Sequence, residues 1–387
     1  MNEVFILSAV RTAVGIGKLG GALSSFSPMD LAAWVLAEAP RRAHLEPARV
    51  EDVILGCVSP IGEQGANIAR LSLLKAGYPV TVPGVSLNRM CGSGQQAIHF
   101  AAQAIASGEM DVVVAGGIEV MSRVPLGSDW PSSWPSDFPY SLVHQGVSAE
   151  MIAEEWDLTR ERLDDFSFES HIRAGQAIRE GRFREQILPL QVPVRNPEGE
   201  PTEELRTFEQ DEGVRLKPDR ARMATLKTVF KPDGVVTAGN ASQISDGAAA
   251  LVLASSRAMH QLQIKPRARV VATAVVGSDP VLMLDGPIPA TRKALARAGL
   301  SLAQLDAIEI NEAFASVVLA WQKELEPDPA RVNPNGGAIA LGHPLGATGA
   351  ILMTKLIHEL ERVDGRYGLQ TMCIGHGMAT ATIIERV

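Results

Sequence analysis

Asn88-Arg89-Met90-Cys91-Gly92-Ser93-Gly94-Gln95-Gln96-Ala97 places a thiol among small residues, directly ahead of an apolar helical stretch over residues 94–107. The arrangement returns later in the chain. Asn333-Pro334-Asn335-Gly336-Gly337-Ala338-Ile339-Ala340-Leu341-Gly342-His343-Pro344-Leu345-Gly346 places an imidazole in a Gly/Pro turn ahead of a second apolar helical stretch, residues 347–362. A further echo links residues 49–56 with 302–309, each a short polar lead followed by a β run. Repetition of this kind predicts two similar halves. Short β-rich runs at 4–10, 53–57, 112–115, 270–276, 308–310 and 380–384 alternate with helical stretches such as 28–43 and 290–298, so each half reads as α/β. The runs hold few charges, as in sheets covered on both faces.

The middle of the chain differs. Residues 125–139 carry Pro, Ser and Trp with little periodicity, and residues 180–233 are rich in charge and Pro. A single helical stretch is expected over 149–180. The segment is too long to be structureless and reads as a large insertion.

Bulk properties narrow the function. The 387 residues carry a formal net charge of −8, which argues against nucleic acid as the main partner. The three cysteines, Cys57, Cys91 and Cys373, form neither a disulfide framework nor a metal-binding spacing. No metal site, signal peptide or membrane span is expected, and the chain reads as cytoplasmic with reduced thiols.

Four sites hold chemistry-bearing residues in turns or at strand ends. A thiol at a helix N-terminus meets unpaired N–H groups and the positive end of the dipole, and both favour thiolate. Read alone, Cys91 is equally a small buried hydrophobe. His343 is positioned to act as a base or as a donor to an oxyanion, or else to cap its helix. Cys373 lies in the glycine-rich Met372-Cys373-Ile374-Gly375-His376-Gly377-Met378 turn. Asn311-Glu312-Ala313-Phe314 follows a β run, where Asn positions a water and Glu caps or supports. Cys57 ends an apolar run and reads as packing.

These motifs, with Gly116-Gly117-Ile118-Glu119-Val120-Met121-Ser122 and Gly239-Asn240-Ala241-Ser242, closely resemble those of the thiolase family, in order and spacing, along essentially the whole chain. The resemblance implies two similar βαβαβαββ halves in a five-layer α-β-α-β-α core, with a loop domain inserted in the first half. Here that places the N-terminal half at 1–116 and 246–266, the loop domain at 117–245 and the C-terminal half at 267–387. It implies Cys91 as nucleophile, His343 as its base and Cys373 as the acid/base at the enolate carbon. His343 with a water on Asn311 matches one family oxyanion hole, and the N–H groups of Cys91 and Gly375 match the other. Coenzyme A is then a substrate, with no permanently bound cofactor. Ser242 aligns with a residue near the pantetheine, and His144 with one beside the thioester. Arg215, in a cluster with Lys217, Arg220 and Arg222, is the candidate for the nucleotide end, although such a cluster also reads as a solvated face. Met283 is a candidate for the acyl pocket or for ordinary core. His376 and Ala379 stand where many relatives have glycine, which bears on the shape of that turn. Gln145 stands where short-chain enzymes commonly have Met.

The implied activity is that of a degradative 3-ketoacyl-CoA thiolase of fatty-acid β-oxidation, acting on acyl-CoA and CoA. The near alternative is acetyl-CoA acetyltransferase. Cys373 together with Asn311 speaks against a decarboxylating ketoacyl synthase, and the intact reactive set against a lipid-binding relative. A homo-oligomer is expected, a dimer or a tetramer formed through the loop domain.

Overall fold

The computed structural model describes residues 2–196 and 199–387. Leaving aside two-residue strands and helices shorter than eight residues, the first half runs β1 (Val4–Thr12), α1 (Pro28–Arg42), β2 (Asp52–Gly56), α2 (Ile68–Lys75), β3 (Gly84–Leu87), α3 (Ser93–Ser107), β4 (Val112–Val120) and β5 (Ser245–Ser255). Between β4 and β5 the chain makes a long excursion that includes α4 (Gln145–Glu155), α5 (Arg160–Arg179) and a hairpin of Leu190–Arg195 with Pro201–Phe208. The second half runs β6 (Ala268–Gly277), α6 (Pro287–Ala298), β7 (Ala307–Ile310), α7 (Ala315–Leu325), a lone bridge of Val332 to Ile308, α8 (Leu345–Arg362), β8 (Tyr367–Ile374) and β9 (Met378–Arg386).

The strands of the first half lie in the order β3-β2-β4-β5-β1, and those of the second in the order β7-β8-β9-β6, with Val332 beside β7. The order is therefore the same in both. The halves join where β1 meets β6 antiparallel, at Phe5↔Arg269 and Ile6↔Ala268. Helix α1 covers one outer face and α6 the other, while α3 and α8 pack on each other between the sheets. The result is five layers, as the resemblance implied.

The layers follow from the sequence. Every residue of β1, β4 and β5 is buried. Helix α8 is buried nearly all round, as a helix enclosed by sheets must be. Ser27 and Asp30 form a capping box at the start of α1, with Pro28 in the first turn. The expected single helix over 149–180 is instead two, α4 and α5. Asp157 takes a left-handed φ of 49°, and the Thr159 side chain caps α5 by accepting from the Arg162 N–H.

The central helices cross with almost no space between them. A Cβ on Gly94 would lie 2.7 Å from the Gly346 carbonyl oxygen, and one on Gly349 would lie 2.1 Å from the Gln95 nitrogen. The glycines beside Cys91 and His343 therefore serve the crossing that brings the two helix N-termini together.

Candidate active site

Cys91 is presented by a tight turn at the start of α3. Met90 has φ 44°, uncommon for a non-glycine residue. Ser93 locks the turn: its Oγ donates to the Met90 carbonyl at 2.6 Å and accepts from the Arg89 N–H at 2.9 Å. Asn88 adds a 2.7 Å bond from the Met90 N–H to its Oδ1, and its Nδ2 donates to the Val58 carbonyl. The thiol is buried with Val58, Met121, Leu345, Leu352 and Met372.

Burial decides its ionisation. It pushes the Cys91 thiol up to about 11, against the opposing pull of the Gly375 and Cys91 backbone N–H groups, with the Glu119 charge adding to the rise. The expectation that the helix N-terminus favours thiolate is thereby corrected: loss of water outweighs the nearby N–H groups.

His343 stands equivalently before α8. Burial holds it down at about 4, so the imidazole is neutral at pH 7. The tautomer follows from Thr348, whose hydroxyl donates to the Pro344 carbonyl at 2.8 Å. Its oxygen must then accept from His343 Nδ1, 2.7 Å away. The proton is on Nδ1, so Nε2 is unprotonated and accepts from the Asn311 amide. Asn311 Nδ2 lies 3.4 Å from Nε2, and Asn311 Oδ1 is buried without a hydrogen-bond partner. Thr348 received no role in the sequence reading, although a Thr five residues after the His, on the first turn of the helix, was a visible signal.

Cys373 is the penultimate residue of β8. Burial raises its thiol, and the charge of Cys91 raises it further. Gly375, His376 and Gly377 then turn the chain into β9. His376 adopts φ 64°, so the turn closes on a left-handed residue that carries a side chain.

Buried polar groups hold these pieces. Glu119 accepts from the N–H groups of Val58, Ser59 and Gly346 and from Gln64 Nε2, at 2.7–3.2 Å, tying the end of β2 to the start of α8. Gln95, one turn past Cys91, donates to Thr382 Oγ1 and accepts from Thr380 Oγ1, both at 2.7 Å, on the strand paired with β8. Glu312 accepts from Ser170, Asn333 and the Ile339 N–H.

The remaining expected residues divide. His144 caps α4, stacks on Phe230 and shares a cavity with Gln145, Met283, Gly375 and His376. Ser242 lies on a loop joined to the Asn311–Phe314 segment by its N–H bond to the Ala313 carbonyl. Arg215, Lys217, Arg220 and Arg222 are exposed, and Arg220 pairs with Asp165. Arg215 does not line the cavity; its backbone N–H donates to His171 Nδ1. Trp130 and Trp134, which do line it, were read only as part of an aperiodic stretch.

The fold is that of an acyl-transferring enzyme. It matches the crystal structure of the Bacillus anthracis acetyl-CoA acetyltransferase with a TM-score of 0.91 and 40% identity, over 100% of this chain and 99% of that one. Residues 4–257 match the model of the thiolase N-terminal domain and residues 264–386 that of the thiolase C-terminal domain. The chain belongs to the thiolase family and is an acyltransferase. It is 49% identical to the steroid 3-ketoacyl-CoA thiolase FadA6 of Mycobacterium tuberculosis, over 100% of this chain and 95% of that protein. It is 44% identical to the 3-oxoadipyl-CoA/3-oxo-5,6-dehydrosuberyl-CoA thiolase of Escherichia coli, over the full length of both. It is 43% identical to an acetyl-CoA acetyltransferase of Chromobacterium violaceum, over 99% of this chain and 100% of that one. Among the described residues, no helix is long and apolar enough to cross a membrane.

Proposed function

We propose that the chain cleaves 3-ketoacyl-CoA with CoA, giving acetyl-CoA and a shortened acyl-CoA through an acyl group on Cys91. What supports this reading is the bond of the Gly375 N–H to the Cys91 thiol, the influence of Cys91 on Cys373, and a neutral His343 whose unprotonated Nε2 meets Asn311.

Resting Cys91 is a thiol and resting His343 an imidazole, so proton transfer accompanies attack. The Cys91 sulfur adds to the C3 carbonyl as Nε2 takes its proton. The oxyanion formed on C3 faces the N–H groups of Cys91 and Gly375. As the carbonyl re-forms, the C2–C3 bond breaks and its electrons pass to the acetyl-CoA enolate. Its oxygen meets the Nε2–H that His343 has just gained, and a water whose O–H meets Asn311 Oδ1. Cys373 protonates C2. Incoming CoA returns a proton to Cys373 and attacks the thioester on Cys91, which leaves and recovers its proton from His343. Each donor to an oxyanion contributes roughly 3 kcal/mol of transition-state stabilisation.

The excursion between β4 and β5 acts as the loop domain over the acyl group, coenzyme A is a substrate that departs with the product, and the working form is a homo-oligomer. Ser242 and Arg215 are assigned to the CoA side of the site. The 49% identity to an enzyme named for a steroid 3-ketoacyl-CoA favours cleavage of longer acyl groups over acetoacetyl-CoA synthesis. Mass spectrometry after incubation with a series of 3-ketoacyl-CoAs tests the reading. The expected result is a shortened acyl mass on the Cys91 peptide; activity confined to acetoacetyl-CoA would favour the acetyltransferase reading instead.

A further inference from the structure

Beside Gly375 and Met90 lies a cleft that bond cleavage itself does not require. Its outer wall is Trp130, Trp134 and Leu142 from the excursion, and its inner wall is Met283 and His376. The His376 ring centroid is 6.0 Å from that of Trp130 and 5.8 Å from that of Trp134, with the latter pair edge-on at 82°. Three flat rings thus bound one space that Met90 and Gly375 also line.

We propose that this cleft selects 3-ketoacyl-CoAs whose acyl part is uncharged and carries a ring or a branch close to the ketone. The inference rests on the thiolase reading above and specifies its substrate class. Trp130 and Trp134 remain 40% and 45% exposed, with Phe138 and Tyr140 continuing the strip. Clustered exposed aromatics mark a groove that an apolar ligand covers, and ring faces pack well on ring faces and edges. The cavity measures about 160 Å³. An apolar cavity of roughly 150 Å³ takes one benzene ring, so an acetoacetyl chain leaves this one underfilled.

Charge narrows the class further. The lining contains no Lys or Arg, and burial holds the His376 imidazole below its usual range, so it is neutral at pH 7. A carboxylate a few carbons past the ketone, as in a 3-oxoadipyl group, would lose water here and meet no cation. His376 also occupies its site at a backbone cost. Its φ of 64° would suit glycine, so the imidazole is what the position gains.

The test is thiolysis of acetoacetyl-CoA, a cyclohexyl-bearing 3-ketoacyl-CoA and 3-oxoadipyl-CoA. kcat/KM for the cyclohexyl substrate should exceed that for acetoacetyl-CoA by about tenfold and that for 3-oxoadipyl-CoA by about 100-fold. Trp134→Ala and His376→Gly should each lower the cyclohexyl-to-acetoacetyl ratio about tenfold. The ratio is taken within one preparation, so partial misfolding of a variant does not imitate the effect. Unchanged ratios in both variants, or 3-oxoadipyl-CoA cleaved as well as the ring substrate, overturn the cleft assignment while the thiolase reading stands. Absence of cleavage of all three, with no acyl mass on Cys91, overturns both.

Discussion

The two halves of the core are built alike and finished differently. Two residues before the third helix stand Cys91 in one half and His343 in the other. Directly after the second strand stand Cys57 and Asn311, and at the penultimate position of the fourth strand stand Glu119 and Cys373. Equivalent positions have parted: at two of the three, the first half keeps a packing thiol and a bridging carboxylate, while the second carries groups to which we assign chemistry. The links between fourth and fifth strands differ most. In the second half Gly375, His376 and Gly377 suffice; in the first the chain runs through 121–244 and builds one wall of the acyl cleft. On the proposed reading, one fold supports the chemistry from its shared positions and the selectivity from its unshared link.

The sharpest way to break this comparison is to mutate its two cysteines in the first half. Cys91→Ala should lower kcat by about 10⁴-fold or more and abolish the acyl adduct, whereas Cys57→Ala should change kcat by less than about twofold. Comparable losses in the two would show that position after the second strand to be chemical in both halves. Next is Thr348→Val, which frees His343 Nδ1 and should cost roughly 10–100-fold in kcat with little change in KM. Steady-state thiolysis measures it, and full activity would remove Thr348 from the account of the tautomer.

Reactivity against pH comes third. The Cys91 pKa is raised, so its thiolate fraction at neutral pH is small and grows about tenfold per pH unit up to about 11. Alkylation by iodoacetamide, followed on the Cys91 peptide, should climb through pH 10. A plateau near pH 7 would mean a thiolate–imidazolium pair and contradict the neutral resting state. The smallest effects are expected from the struts. Glu119→Gln and Gln95→Leu should each lower stability by about 1–3 kcal/mol in denaturant unfolding, by leaving buried partners unpaired.

Much of this was legible in the residues. The paired glycine-rich turns before apolar helices announced the duplication, and the 49–56 and 302–309 echo corresponds to a 3₁₀ turn followed by β2 in one half and β7 in the other. The runs named as β became strands; those at 4–10, 53–57, 112–115, 308–310 and 380–384 are buried along their length, while 270–276 is only partly covered. The break between α4 and α5 was hidden, since Asp157 and Thr159 interrupt the helix by backbone conformation and capping without a Pro or Gly to mark it. At the site, residue types and order singled out Cys91, His343, Asn311 and Cys373, to which we assign chemistry. The protonation of Cys91 was not disclosed, because local sequence shows the helix N-terminus but not the depth of burial that overrides it. The aromatic wall was equally hidden: Trp130 and Trp134 meet His376 only through a tertiary contact far along the chain.

The glycine crossing of α3 and α8 has a consequence for how such an enzyme can diversify. With the Gly346 oxygen and the Gln95 nitrogen where any Cβ would intrude, neither helix can shift without displacing the other. A side chain added at Gly94 or Gly349 would push the two helix N-termini apart. The periphery is freer, since neither the 121–244 excursion nor the residue at 376 is held by that crossing.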